Sequence, residues 1–374
     1  MSKKIVIIGS VAAGASAAAR LRRLDEKASI LLLEKDMYMS YASCGLAYTV
    51  GKVIPDIDFL LIQTPEEFTE RFNVDVRVGN EVTKINRQKK ELEVHDHQAN
   101  KTYIETYDKL ILAPGAESVT PGIEGIDSKK VFTIKTIPDA ERIKSFIETE
   151  NPKKALVIGA GYIGMEMAEN LARIGISTGV VEALEQVMPY FDDEMSSLLT
   201  KHLTNKKIAL WTGEKVVSIK ETTGGLSVRL SSDSDLNCDF VVVAAGVKPR
   251  TQLARNAELE IGQTGGIKVN EYLQTSDPDI YAVGDAVETT DAVLEVPTLS
   301  MLAGPANKQG RIAADNICGR KVKYKNSLAT AIVNIFELTA ATTGASEKKL
   351  RQHNLPYEKN IPASVPSRRV LSRG

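Results

Sequence analysis

Cysteine is the first scarcity. The 374 residues hold three, Cys44, Cys238 and Cys318, and none are close together. An odd, sparse count excludes a disulfide scaffold and makes a reducing cytoplasm the expected setting. An excess of one charge is missing too: 47 Lys and Arg against 48 Asp and Glu leave a net charge of −1. That excludes broad nucleic-acid binding, which needs a basic surface excess, and still leaves room for a local basic pocket. Aromatics make up 5%, with a single Trp, too few for a base-stacking surface. No apolar run reaches the ~18 residues of a membrane span. The nearest imitation of a targeting segment is Lys3 and Lys4 ahead of the apolar run Ile5 to Ala19. Gly9 and Gly14 interrupt that run, and it passes into Arg20, Leu21, Arg22 and Arg23, so no secretion signal is expected. The four histidines, His95, His97, His202 and His353, lack metal or triad spacing. His95 and His97 read as a solvent face, and no metal site is expected.

What is present is a soluble composition, 43% hydrophobic and 25% charged, long enough for two to three domains at ~150 residues each. Strand and helix signals alternate. Lys4–Ile8 reads as a strand, Ala12–Asp25 as a helix and Ser29–Glu34 as a second strand, a βαβ unit. A polar, turn-broken stretch follows over 36–64, then short strands over 74–107 and an apolar strand over 109–115. The pattern restarts near residue 150. Ala155–Ile158 reads as a strand, Ile163–Ile174 as a helix and Ser177–Glu182 as a strand, followed by a helix near Asp193–Lys206 and short strands to Val243. The second unit looks inserted between two parts of the first. From Tyr324 a third region carries a strand, Thr330–Phe336, and a helix, Ser346–His353, capped by Ser346. Ile361–Gly374 loses all periodicity and reads as a loose tail.

Two loops carry the chemistry. Gly9-Ser10-Val11-Ala12-Ala13-Gly14 lies between strand and helix, where backbone N–H groups and the helix dipole receive a pyrophosphate. Its middle glycine is replaced by Val11, so alone the match is weak. Glu34, ending the second strand, strengthens it as an acceptor for ribose hydroxyls. Gly159-Ala160-Gly161-Tyr162-Ile163-Gly164 is a full match, with Glu182 as its acid. A carboxylate there favours NAD over NADP, although NADP use stays open. One such site suggests a dehydrogenase. Two suggest electrons passing between dinucleotides, usually nicotinamide to flavin.

With these loops the sequence resembles the FAD-dependent pyridine nucleotide-disulfide oxidoreductases. Three further segments carry the resemblance: Leu110 to Ala116, Ala244 to Arg250, and Thr275 to Asp285. It implies an α/β fold of two Rossmann-like FAD- and NAD(P)-binding domains with a truncated α+β C-terminal dimerisation domain. The expected divisions are 1–150 for the first part of the FAD domain, 151–270 for the NAD(P)H domain, 271–323 for the second FAD part, 324–360 for a partial dimerisation domain and 361–374 for the tail. It places FAD against Gly9, Val11, Ala12, Ala13, Gly14, Glu34, Lys35, Val82, Ala113, Pro114, Gly115, Gly284, Asp285, Pro305 and Ala306. It places NADH or NADPH against Gly159, Gly161, Tyr162, Ile163, Gly164, Glu166, Glu182 and Gly246.

The branch turns on Cys44. Glutathione-reductase-type members carry two spaced cysteines there, whereas this chain has one. A lone thiol forms no internal disulfide, so its partner is an exogenous thiol, a sulfur atom or an oxygen. Ser40-Tyr41-Ala42-Ser43-Cys44-Gly45-Leu46 resembles the coenzyme A-disulfide reductase branch, with Ser43 in place of the usual Asn, and Gly304 to Arg311 also fits it. The resemblance implies NAD(P)H-driven reduction of a small disulfide or persulfide. Cys44 would be catalytic, with its thiol acidified at a helix N-terminus and coenzyme A held on it as a mixed disulfide. Arg20 and Arg23, one turn apart, would grip substrate phosphates with Ser16, Ser40 and Ser43 nearby. The bland alternatives are a buried structural cysteine and a solvated arginine face. Cys238 and Cys318, in a strand and at a helix end, read as structural. An NADH oxidase is the main rival. In the peroxidases of the family a histidine occupies the position of Ala12, which counts against that relative. A reductase serving a small redox protein is another rival, although such members usually lack the cysteine.

The family's third domain, of ~100 residues, forms a homodimer and completes the coenzyme A site. Here the resemblance stops near residue 355. A family-type homodimer is therefore in doubt, and a flavin-binding protein with an impaired site is a further reading. Unpaired strand edges and exposed apolar surface are expected near this end.

Overall fold

A computed structural model describes residues 3–360, and the expected tail lies outside the described residues. β1 (Lys4–Ile8), α1 (Ala12–Leu24) and β2 (Ser29–Leu33) form the first βαβ unit. Helices α2 (Leu46–Val50) and α3 (Pro65–Phe72) follow, then β3 (Asp75–Arg77), the meander β4 (Asn80–Asn86), β5 (Glu91–Asp96) and β6 (Lys101–Thr106), and β7 (Lys109–Leu112). β8 (Ala116–Ser118), β9 (Val131–Thr133) and α4 (Ile137–Glu150) lead to the second unit, β10 (Lys154–Ile158), α5 (Tyr162–Arg173) and β11 (Ser177–Glu182). Next come α6 (Asp193–Asn205), β12 (Ala209–Thr212), the meander β13 (Val216–Thr222), β14 (Gly225–Leu230) and β15 (Asp235–Cys238), then β16 (Phe240–Val243) and β17 (Val247–Pro249). The remaining elements are α7 (Gln252–Asn256), β18 (Ile267–Lys268), β19 (Ile280–Ala282), β20 (Val287–Thr290), β21 (Pro297–Leu299), α8 (Ala303–Ile317), the hairpin β22 (Ala331–Ile335) and β23 (Leu338–Thr342), and α9 (Glu347–Gln352).

β1 and β10 each occupy the centre of a five-stranded parallel sheet, ordered β19-β7-β1-β2-β3 and β12-β11-β10-β16-β9. Their residues are buried on both faces, which is why these strands are apolar runs rather than alternating ones. β19 follows the second unit in sequence yet pairs with β7 of the first sheet, so the second unit is an insertion. Helices α1 and α8 cover the first sheet in close contact. A Cβ on Gly310 would stand 2.2 Å from the Ala13 carbonyl oxygen, and the small residues of α1 serve the same approach.

The pairing moves the junctions expected at residues 150 and 270. β9 runs parallel to β16 and so joins the second sheet, and β8 pairs with β17 where the chain crosses between units. β18 pairs with β20 on the side of the first unit. Val131–Thr133 is too short for its pattern to announce it. A signal for α4 was present: Thr136 and Asp139 form a capping box with Pro138 in the first turn. The stretch 36–64 also holds more structure than turns. A 3₁₀ turn at Ser43–Gly45 runs into α2, which buries Leu46, Ala47 and Val50. Five residues are too few for a helical period to show, and packing against α4 and α5 supports this helix instead.

The third region docks on the second unit. His202 Nε2 lies 3.1 Å from the Ile335 carbonyl, Lys206 pairs with Glu337 at 2.6 Å, and the Arg173 guanidinium stands 5.6 Å from the Phe336 ring centre. The hairpin is a two-stranded sheet among the described residues, with Ile332 70% exposed. Ser346 caps α9 by accepting from the Lys349 N–H at 3.4 Å.

Candidate active site

The two glycine loops share one scaffold. Gly9 and Gly159 adopt φ of +94° and +105°, and a Cβ on either would strike a neighbouring carbonyl oxygen, Ala113 at 2.1 Å or Ala244 at 2.4 Å. Glycine is required twice over at each position. The acid at the end of the second strand holds each loop. Glu34 Oε2 accepts from the Ser10 N–H at 2.9 Å and the Ser10 hydroxyl at 2.8 Å, and Oε1 accepts from the Asp36 N–H at 3.1 Å. Glu182 Oε2 accepts from the Ala160 N–H at 2.7 Å, and Oε1 from the Leu184 N–H at 2.9 Å. Burial pushes the Glu34 carboxyl up, against the pull of those hydrogen bonds. Gly14 and Gly164 each press on the carbonyl of the loop's first glycine.

The middle position separates the loops. A Cβ on Gly161 would meet nothing within 4 Å, and its φ of −79° suits any residue. Neither packing nor backbone geometry demands glycine there, so the space at the start of α5 is free for a ligand's phosphates. In the first loop that position is Val11, which lines a cleft of about 930 Å³, within the size range of ligand sites. Gly9, Ala12, Ala13, Glu34, Lys35 and Val82 line it as well, together with Ala113, Pro114, Gly115, Gly284, Asp285 and Ala306. Gly14 and Pro305 are outside the lining. Its lining brings the Gly9 loop and Glu34 together with the Asp285 turn and Ser43, and its volume suits a dinucleotide such as FAD.

The cleft is charged where Asp285 lines it. Lys135 Nζ stands 3.6 Å from Asp285, whose carboxyl is pushed up by burial and drawn back by that lysine. The Gly284 N–H donates to the buried Gln309 side chain at 2.7 Å, which ties this turn to α8. Lys135, Asn80, Lys248 and Arg250 line the cleft without having been expected. Lys248 and Arg250 belong to the Ala244 to Arg250 segment, whereas no motif marks Asn80 or Lys135, which the fold brings in from separate segments.

Cys44 sits in the 3₁₀ turn just ahead of α2 and is exposed, while Ser43 beside it lines the cleft. The segment is anchored to the first loop: the buried Ser40 donates its N–H to the Ser10 carbonyl at 3.1 Å. Cys238 is buried and its thiol is pushed up to about 12 by burial, and Cys318 is pushed up for the same reason. Both are poor nucleophiles at neutral pH. The arginines part company. Arg20 binds Asp315 of α8 through Nη2 at 2.8 Å and Nε at 3.2 Å, and Ser16 donates to Asn307 at 2.8 Å. Arg23 is exposed and lies 5.6 Å from the Phe72 ring centre, with no ion pair among the described residues.

In the second loop Tyr162 opens α5 and stacks on Tyr190, with ring centres 5.8 Å apart. Ile163 packs into the core beside it, and Gly246 faces open space at the end of β16. Glu166, expected near NAD(P)H, faces Tyr48 of α2. Burial and the neighbouring Glu169 push its carboxyl up to about 7.

A family described as pyridine nucleotide-disulphide oxidoreductase matches residues 3–310. The chain belongs to this family, and its cofactors are FAD and NAD(P)H. A coenzyme A disulfide reductase of Staphylococcus aureus (strain bovine RF122 / ET3-1) is 32% identical over 350 residues, 93% of this chain and 78% of the relative. Among solved structures, reduced Bacillus anthracis CoADR-RHD superposes with a TM-score of 0.94 at 47% identity, covering 96% of this chain and 64% of that one. An NAD-dependent persulfide reductase from A. fulgidus gives 0.90 at 37% identity, covering 94% and 65%. The chain thus spans under two thirds of the length of these two proteins. No helix among the described residues is long and apolar enough to cross a membrane.

Proposed function

We propose that this chain reduces a low-molecular-weight disulfide or persulfide, coenzyme A disulfide foremost, with electrons from NAD(P)H passed to the single thiol Cys44. The supporting observation is the placement of the three cysteines. One is exposed on a turn beside the dinucleotide cleft, and the other two are held as unreactive thiols. FAD, when bound, supplies two-electron transfer between nicotinamide and sulfur.

The chain's residues do the rest. The Cys44 thiolate attacks R–S–S–R, forming Cys44–S–S–R and releasing R–S⁻. Two electrons from NAD(P)H then return Cys44 to the thiolate and release a second thiol. The balance is R–S–S–R + NAD(P)H + H⁺ → 2 R–SH + NAD(P)⁺. The loop around Gly9, Val11, Ala12, Ala13, Glu34 and Asp285 holds FAD, and the loop at Gly159, Gly161, Gly164 and Glu182 holds the nicotinamide dinucleotide. Because Arg20 is tied to Asp315, phosphate recognition falls chiefly to Arg23 and the serines near Cys44. The carboxylate of Glu182, where a 2′-phosphate would lie, favours NADH.

The test is anaerobic NADH oxidation with coenzyme A disulfide, comparing the wild type with Cys44→Ser. A loss of at least about 10²-fold is expected. Equal rates would remove the thiol mechanism.

A further inference from the structure

Between β3 and β4 the chain turns tightly against the end of β2. The Glu34 N–H donates to the Arg77 carbonyl at 3.0 Å, and the Asn80 N–H donates to the Glu34 carbonyl at 2.8 Å. Gly79 makes the turn with a φ of +67°. The turn brings Asn80, only 8% exposed, into the wall of the dinucleotide cleft beside Glu34. Neither the glycine motif nor the thiol chemistry uses this side chain.

The Asn80 amide is held in one orientation. Nδ2 donates to the Val78 carbonyl at 2.9 Å, and a carbonyl only accepts, so Nδ2 and Oδ1 cannot exchange places. Oδ1 accepts from the Tyr103 hydroxyl at 2.8 Å. Having donated its one hydrogen, that hydroxyl accepts from Arg77 Nη1 at 3.2 Å. Arg77 is fixed in turn by Glu105, through Nη1 at 2.9 Å, and by Asp75, through Nη2 at 2.5 Å. Lys4 of β1 engages Glu105 as well. The hydrogens therefore point one way, from guanidinium to phenol to amide. One Nδ2–H of a buried amide is left uncommitted at the cleft wall. Once a cofactor excludes water from that wall, the donor needs an acceptor on the cofactor.

Strand order shows which part of a dinucleotide arrives there. β1, β2 and β3 are neighbours in the first sheet. β1 ends in the Gly9 loop, β2 ends at Glu34, and β3 leads into Asn80. A dinucleotide with its pyrophosphate on the first and a ribose on the second carries its base to the third. Adenine presents ring nitrogens as acceptors.

We infer that the free Nδ2–H of Asn80 donates to a ring nitrogen of the FAD adenine, and that Tyr103, backed by Arg77, is the residue that positions it. This goes beyond the thiol-exchange reading and rests on FAD occupying the cleft around Gly9. The network lies outside the glycine loop and makes the adenine half of the cofactor a point of retention.

The experiment follows FAD release from the holoenzyme after dilution, read as recovery of flavin fluorescence, in the wild type, Asn80→Ala, Tyr103→Phe and the double variant. Asn80→Ala should release FAD about tenfold faster and Tyr103→Phe about threefold faster. In the double variant Tyr103→Phe should add nothing, because a phenol acting through the amide has nothing left to position. A tyrosine with a merely structural role would add its own factor there, and that result would overturn the positioning. Wild-type release from Asn80→Ala would overturn the donor. Should Asn80→Ala fail to fold, Tyr103→Phe decides alone, and wild-type release from it overturns the proposal. Gly9→Ala separates the layers. A Gly9→Ala chain that keeps its flavin would overturn the cleft as the FAD site and this role with it. Loss of flavin from Gly9→Ala beside wild-type release from Asn80→Ala would overturn the donor alone. Release needs no turnover, so a failure of the thiol exchange leaves these rates unchanged.

Discussion

The two dinucleotide loops have the same backbone skeleton and different surroundings. In both, a left-handed glycine is pressed on a crossing strand and an acid accepts from the residue after it. The first loop opens into a cleft of about 930 Å³ walled by Val11, Val82 and Ala306, and its helix is covered by α8. The second keeps Gly161 facing open space, and its helix faces α2 and the segment of Cys44. An enclosing cleft suits a cofactor that stays, whereas an open loop suits one that comes and goes. The difference lies less in the glycine motif than in what the rest of the chain brings to it.

The strongest break of the comparison is Gly9→Ala. A left-handed backbone and a 2.1 Å clash with the Ala113 oxygen give no room for the methyl, and the strain alone costs about 1–2 kcal/mol. Loss of bound FAD is expected, seen as loss of the visible flavin spectrum, together with a lower Tm. Glu166→Gln probes the other side. The Glu166 carboxyl moves from its ordinary 4.5 to about 7 on folding. Its neutral form therefore stabilises the fold fully below about 4.5, and that contribution is lost as pH rises through about 7. The loss is at most about 3 kcal/mol. Urea unfolding should show wild-type stability declining over that range relative to the variant. A constant gap between the two proteins would contradict the buried proton.

Gly161→Ala is the quiet counterpart to Gly9→Ala. Nothing within 4 Å opposes the methyl, so Tm should hold and FAD should stay. The KM for NADH should rise about tenfold, which is about 1.4 kcal/mol of binding. A drop in Tm with unchanged KM would assign Gly161 to packing. The smallest effects concern α1. Arg20→Ala should lose up to about 1 kcal/mol of stability, because Arg320 at 3.7 Å still faces the carboxylate of its buried partner Asp315. Arg23→Ala should leave Tm unchanged and raise the KM for coenzyme A disulfide severalfold.

Much of the architecture was legible because it is written in local pattern. The β1–α1–β2 and β10–α5–β11 units announce themselves through apolar runs, glycine turns and terminal acids. The cleft residues around Gly9, Ala113 and Asp285 also fall together as their motifs imply. What stayed hidden depends on distance in sequence. The pairing of β9 with β16 moves a junction, yet three residues carry too little pattern to reveal it. Arg20 looked like a phosphate ligand because Asp315, its partner, lies on another helix far along the chain. Glu166 looked like part of a nucleotide motif, and only the packing of α2 on α5 turns it toward Tyr48. Lys135 reaches Asp285 from a segment with no motif.

The central claim is that Cys44 alone carries the exchange with an external disulfide. Its most direct test is a denaturing, non-reducing mass spectrum of the protein after exposure to coenzyme A disulfide, with peptide mapping. The expected result is a single coenzyme A adduct on the Cys44 peptide, removed by NADH in the FAD-loaded protein. An unmodified Cys44, or an adduct on Cys238 or Cys318 instead, would contradict it.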